Sequence, residues 1–140
     1  MIKKHNFPRL KKQPLITIGI TCFNAEKTIE RALMSALNQD WPNFEIIVVD
    51  DESTDSSKEI LKKHKLKNNN LHIFYQKENK GCADSRYLLI SKANGEFIAF
   101  FDDDDFSCSE RIKLQYEHLI NYEETQPAKL VACFASGLRI

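Results

Sequence analysis

The sequence predicts an α/β fold, a mostly parallel sheet with helices on both faces, and three observations predict it. Apolar, β-branched runs of strand length alternate with segments of helical period along the chain. The runs are near-continuous in apolar residues, as strands covered on both sides require. Turn and capping residues fall between them where the period changes.

A length of 140 residues with 42% hydrophobic content fits one domain with one core, burying about two-thirds of the surface of the unfolded chain. The 20 basic and 20 acidic residues cancel. No long-range pull toward nucleic acid is expected, and the electrostatics that matter must be local. Cys22, Cys82, Cys108 and Cys133 lie far apart with no paired spacing of a zinc or redox motif, so a reduced chain is expected. Residues 1–13 are expected to be a basic flexible arm: Lys3, Lys4, Arg9, Lys11 and Lys12 leave no apolar stretch for a signal peptide. A solvated tail is the plain expectation for it and contact with a membrane surface the alternative. The apolar runs are strand-length and too short to span a bilayer. We expect a cytoplasmic protein, at most peripheral at the inner face of the membrane, with residues 14–140 as its domain.

The first strand is expected over 15–21, β-branched and apolar, after Pro14. Asn24 can cap a helix in which Ile29, Leu33 and Leu37 recur at helical spacing and which ends before Trp41-Pro42. A second strand follows over 45–49, then a polar turn over 50–57 and a helix around Ile60 and Leu61, with Ser56 and Glu59 at capping-box spacing. Lys58, Lys62, Lys63, Lys65 and Lys67 read as a solvated face. Residues 71–75 are the third strand and 83–93 the third helix, which Asn94-Gly95 can terminate. Residues 97–101 are the fourth strand. Ser107 and Glu110 repeat the capping-box spacing before a helix striped by Ile112, Tyr116, Leu119 and Ile120, and residues 130–135 are a fifth strand.

In such sheets ligands bind beyond the carboxyl ends of the strands. Three polar clusters sit there: Asp50 and Asp51, the segment from Asn79 to Arg86, and Asp102-Asp103-Asp104-Asp105. Two unit charges ~4 Å apart repel by about 1 kcal/mol in water and about 4 at an effective dielectric of 20. Four adjacent carboxylates therefore call for a cation or a proton. Capping of the next helix, worth ~0.3–1 kcal/mol per acid, accounts for one or two of them at most. If strand geometry persists, Asp102 and Asp104 project to the same side, and with diphosphate oxygens they make an all-oxygen shell suited to Mg2+ or Mn2+. Asp50 or Asp51 can accept hydrogen bonds from a base or ribose, or simply shape the turn. Gly81 lets the backbone approach a ligand. Arg86 can reach phosphate or base, or pair with Asp84 or Glu96.

Taken in order, these segments resemble the N-terminal part of a family 2 glycosyltransferase of the GT-A fold. The segments are Ile18-Gly19-Ile20-Thr21-Cys22-Phe23-Asn24, the stretch from Ser35 through Gln39-Asp40-Trp41-Pro42 to Glu45, Val48-Val49-Asp50-Asp51-Glu52-Ser53-Thr54-Asp55, Asn79-Lys80-Gly81 through Arg86, and Asn94-Gly95-Glu96 leading to Asp102-Asp103-Asp104-Asp105. The resemblance covers residues 16–119. It implies a Rossmann-like nucleotide-binding half. Thr21, Phe23 and Asn24 of the opening turn, with Asp50, Asp51, Gly81, Arg86, Asp102 and Asp103, would bind the nucleotide sugar, and Asp102 and Asp104 would hold the metal, Mn2+ or Mg2+. It implies transfer of a sugar from a UDP-sugar or other nucleotide donor to a saccharide or lipid-linked acceptor, in polysaccharide biosynthesis, with inversion.

Three positions depart from the family pattern: Glu52 stands where glycine is common, Tyr87 where asparagine is, and Asp103 where a small residue is. The family carries a further C-terminal part with the catalytic base. We expect that base beyond residue 140 and this chain to supply donor and metal binding, as a truncated form or as a half completed by a second polypeptide. Two other classes compete with this reading: a non-catalytic sugar-nucleotide-binding partner, and a receiver-type signalling domain built on Asp50-Asp51-Glu52 and Asp102.

Overall fold

The computed structural model describes residues 13–125 and residue 133. Strand and helix alternate as β1 (Ile16–Cys22), α1 (Ile29–Leu37), β2 (Phe44–Asp50), α2 (Ser57–Lys65), β3 (Leu71–Tyr75), α3 (Cys82–Lys92), β4 (Phe97–Asp102) and α4 (Arg111–Thr125). Apart from Gln13 and Cys133, the expected basic arm and the expected fifth strand lie outside the described residues.

All four strands are parallel, in the order β3-β2-β1-β4. The chain winds outward from β1 to β3 and then returns to the other side of β1. The direction of winding therefore reverses between β1 and β4, and a crevice opens at their carboxyl ends.

Side-chain alternation divides the core between the two faces of the sheet. Ile16, Ile18, Ile20 and Cys22 of β1, with Ile46 and Val48 of β2, pack under Ile29, Leu33 and Ala36 of α1, Leu61 of α2, and Ile112 and Tyr116 of α4. Ile47 and Val49 face the other way, against Leu89 of α3. Helices thus cover both faces, three on one and α3 on the other. The α3 face is the thinner one: Phe100, Tyr87 and Ile90 remain exposed. At Gly19 a Cβ would fall 2.5 Å from Leu89 Cδ2, so the absent side chain lets α3 settle on the sheet.

The amino ends of three strands are tied by a small polar network. Thr17 Oγ1 donates to Glu45 Oε1 at 2.7 Å, the Asn94 amide donates to the same oxygen at 2.7 Å, and Asn94 Nδ2 donates to Glu45 Oε2 at 3.0 Å. The Gly95 amide donates to Thr17 Oγ1 at 3.0 Å. Burial pushes the Glu45 carboxyl up, but the Thr17 hydroxyl and the two Asn94 donors outweigh it and hold it below the ordinary range. Gly95 serves close approach, since a Cβ there would lie 2.5 Å from the Thr17 nitrogen.

Several local expectations give way to tertiary partners. Thr28, not Asn24, precedes α1, and no side chain caps that helix. Asn24 takes a left-handed backbone, φ 50°, and its Oδ1 accepts the Thr54 amide at 2.8 Å. Ser56 makes no side-chain cap for α2; its amide donates to Glu26 Oε2 at 3.1 Å. Ser107 does not open α4 either, because its amide is taken by Ser35 Oγ at 3.2 Å. Lys58 leaves the solvated face to pair with Glu52 at 3.2 Å. No helix among the described residues is long and apolar enough to cross a membrane.

Candidate functional site

A cleft of about 500 Å3 occupies the crevice, lined by Thr21, Cys22 and Phe23 after β1, Asp51 after β2, Asn79, Gly81, Cys82 and Ser85 around the start of α3, and Asp102, Asp103 and Asp104 after β4. That volume lies within the ~300–1,000 Å3 typical of small-molecule sites. The parallel register places Thr21 opposite both Asp102 and Val49, so all three strand ends reach the cleft at the same height.

Asp50 and Asp51 part company. Asp50 continues the face of Ile46 and Val48, is fully buried, and does not line the cleft. Its Oδ1 accepts the Ser53 amide at 3.0 Å, with Lys58 Nζ 3.9 Å away, and its Oδ2 has no hydrogen-bond partner. Asp51 falls on the opposite side and its carboxylate organises the cleft wall. Oδ2 accepts the Gly81 amide at 2.7 Å, while Oδ1 accepts the Lys80 amide at 2.9 Å and Gln76 Nε2 at 2.6 Å. Gly81 has φ +85° and nothing within 4 Å of where its Cβ would be. Only glycine takes that backbone freely, and the space beside it is open.

The acidic run bends where extended geometry was expected to persist. β4 ends at Asp102, and the Asp105 amide returns to the Asp102 carbonyl at 3.4 Å, closing a turn over Asp103 and Asp104. Aspartates favour turns because their side chains bond nearby amides. Asp102 and Asp104 therefore do not share a side through strand alternation; the turn itself brings all three acids to the cleft. Asp103 Oδ2 accepts the Phe23 amide at 3.2 Å. Burial raises the Asp103 carboxyl against the pull of that amide, and Asp104 and Asp102 raise it further. The cost of gathering negative charge is thus visible inside the run.

Arg86 turns to the acidic run: its Nη2 lies 3.3 Å from Asp102 Oδ1, and the guanidinium stands over Phe100, 5.7 Å from the ring centroid. Phe23 is half-exposed on the cleft wall, and Asn24 lies behind it with its amide donated to Ser53 Oγ at 2.9 Å. Burial, with Asp103 and Asp50 nearby, pushes the Cys22 thiol up to about 12, so it stays protonated at neutral pH.

The carboxylates suit an open divalent site. Among the described residues no group of three or more His, Cys, Asp or Glu side chains is arranged to hold a metal ion by itself. Two or three acids on an exposed turn fit a hard cation whose remaining oxygens come from phosphates and water, the habit of Mg2+ and Mn2+.

Four contributors carry no signal of their role in the sequence pattern alone, or only a faint one. Gln76 and Ser85, joined at 2.8 Å, brace Asp51 from the α3 side. Arg31 of α1 donates to the Asp104 carbonyl. Arg111 fastens the acidic loop from behind. One signal was available for Arg111, a cation in the first turn of a helix with no acid there, where the dipole opposes positive charge.

Comparison with known proteins gives a consistent picture. Residues 17–128 match the model described as glycosyl transferase family 2. UDP-Glc:alpha-D-GlcNAc-diphosphoundecaprenol beta-1,3-glucosyltransferase WfaP of Escherichia coli is 35% identical over 112 residues, 80% of this chain and 42% of that protein. S. aureus TarS 1-349 in complex with UDP-GlcNAc aligns with a TM-score of 0.69 at 33% identity, covering 78% of this chain and 32% of that one. Mannosyltransferase PcManGT from Pyrobaculum calidifontis, in complex with GDP-Man and Mn2+, aligns with a TM-score of 0.72 over 76% of this chain and 32% of its own; at 23% identity this is a likeness of fold. The chain spans about two-fifths of the first relative and a third of the two solved chains.

Proposed function

Because the chain belongs to glycosyl transferase family 2 and carries the nucleotide-binding half of the GT-A fold, we propose that its cleft binds a nucleotide-sugar donor, a UDP-sugar, for transfer to a saccharide or lipid-linked hydroxyl. The observation that carries this is convergence: three strand ends, each with its own polar cluster, meet around one cleft at the reversal of the sheet. UDP is favoured because TarS is seen with UDP-GlcNAc and WfaP is named for UDP-Glc. The diphosphoundecaprenol in the latter name supports a lipid-linked acceptor.

In this proposal Thr21, Phe23 and Asp51 form the wall against which the base and ribose rest, and Gly81 leaves room for the donor beside α3. Asn24 and Asp50 act from behind, fixing the turns that carry those side chains. Arg86 offers a planar pair of donors to the nucleotide. Asp102 and Asp104, with Asp103 beside them, would hold Mn2+ or Mg2+ at the diphosphate. Such an ion neutralises charge on a departing nucleoside diphosphate. No described residue is assigned as the base that activates the acceptor; by this proposal that group belongs to the part of the family fold this chain does not span.

Calorimetry tests the proposal. UDP should bind the folded chain in the presence of MnCl2, bind less well after chelation, and outcompete ADP. Absence of UDP binding in a sample shown to be folded by circular dichroism overturns it.

A further inference from the structure

We propose that Arg111 is a positioning residue for the donor site, its guanidinium clasping the two ends of the acidic loop so that Asp102, Asp103 and Asp104 are presented to the cleft. This rests on the donor-binding function proposed above. Arg111 Nη2 donates to the Phe100 carbonyl at 3.0 Å, on the strand before the acids. Nη1 donates to Ser107 Oγ at 2.8 Å, just after them. One rigid fork therefore spans the whole turn and sets the separation of its two feet.

The fork is itself held. The guanidinium carbon lies 4.3 Å from the centroid of the Phe101 ring, and Ser107 is buried with its amide on Ser35 Oγ of α1 at 3.2 Å. Gln39, at the end of α1, takes the Ile112 amide at 3.1 Å and donates to the Cys108 carbonyl at 2.8 Å. The loop is thus referenced to α1, which follows β1, and to β4, the strand on the other side of the crevice.

A purely structural role is hard to reconcile with the position. A cation at a helix amino terminus works against the dipole by ~0.3–1 kcal/mol. Arg111 is half-buried there, with its Nε unpartnered, and burial lowers its pKa while Asp105 and Asp102 raise it. Its location makes electrostatic sense opposite a gathering of carboxylates. A lysine supplies the charge but cannot place two donors in one plane on two acceptors.

The test separates the diphosphate end of the cleft from its base end. UDP binding with MnCl2 is measured by calorimetry and uridine binding by NMR titration, in the unsubstituted chain, Arg111→Gln and Arg111→Lys. The expected result is a loss of about tenfold or more in UDP affinity with Mn2+, in line with the removal of groups that orient metal ligands, while uridine affinity is unchanged. Arg111→Lys should fall nearly as far as Arg111→Gln. A parallel fall of uridine and UDP, no change in either, or full rescue by lysine overturns the proposal. If Arg111→Gln fails to fold, Ser107→Ala removes one of the two feet and should still weaken UDP with Mn2+ about threefold, the worth of one hydrogen bond; unchanged affinity counts against the clasp. Failure of the unsubstituted chain to bind either uridine or UDP would instead strike the donor-binding function.

Discussion

Arg86 of α3 and Asp102 of β4 meet across the mouth of the cleft, Nη2 to Oδ1 at 3.3 Å. Both side chains are about half-exposed, and an exposed pair contributes ~0–1 kcal/mol. The contact therefore matters more for what it occupies than for stability. Replacing Arg86 with alanine should leave the melting temperature within a few degrees of the original, weaken UDP binding, and free Asp102 for Mn2+ in the absence of nucleotide. Calorimetric titration of Mn2+ alone reads the last effect, which a lower Mn2+ affinity would contradict.

Asp51 is expected to be the most sensitive acid of the two at β2. Its carboxylate accepts two backbone amides and the Gln76 side chain. In Asp51→Asn one acceptor becomes a donor facing donors, at a cost of ~1–3 kcal/mol. Urea unfolding should show that loss, and UDP binding should weaken in the fraction that remains folded. A variant as stable as the parent would exclude this role.

Glu52 holds a left-handed backbone, φ 64°, at the position where the family commonly has glycine. That conformation costs a side-chain-bearing residue about 1–2 kcal/mol. The pair with Lys58, 3.2 Å and partly exposed, returns only a fraction of it. Glu52→Gly should raise stability by up to ~1 kcal/mol, a shift of several degrees in Tm for a small domain.

The two crowded glycines should differ. At Gly19 the nearest atoms are the flexible ends of Leu89; at Gly95 they include two backbone atoms, the Thr17 nitrogen at 2.5 Å and the Phe97 carbonyl at 2.8 Å, besides Thr17 Oγ1 at 2.7 Å. Side chains can turn aside and backbone cannot. Gly19→Ala should cost ~1 kcal/mol and Gly95→Ala ~3 kcal/mol or more, ranked by chemical denaturation.

Glu45 supplies a pH dependence of known sign. Its folded pKa lies below the ordinary value of 4.5 because the Thr17 and Asn94 donors outweigh burial. Its contribution is complete above that ordinary value and is lost as pH falls through the folded one. Glu45→Gln should therefore be less stable than the parent near neutrality, and the gap should close on acidification. A gap that widens in acid would refute the assignment.

Much of this was legible in the residues. Strand 71–75 was located to the residue, and the three polar clusters do share one edge. Alternation already separates Asp50 from Asp51, since Ile46 and Val48 share the parity of Asp50; applied there, it would have told the inward acid from the cleft acid. Other features have no local signature. The acceptors that took the Ser56 and Ser107 amides in place of the expected caps come from Glu26 and Ser35, 30 and 72 residues away in sequence. The acidic turn is the same kind of failure, because Arg31 and Arg111 hold it from two helices.

The Thr17–Glu45–Asn94–Gly95 network lies at the edge of the sheet farthest from the cleft, and its consequence is metrological. In parallel strands a slip of one residue turns every side chain to the other face, which would put Asp51 inside the protein and Asp50 in the cleft. With β1, β2 and the entry to β4 pinned to a common origin, equal counting along each strand delivers Thr21, Val49 and Asp102 together at the far end, with Asp51 two residues past Val49. The accuracy of the cleft is thus a length measured from a datum one full strand away, and substitutions at that origin should disturb ligand binding without touching the ligand.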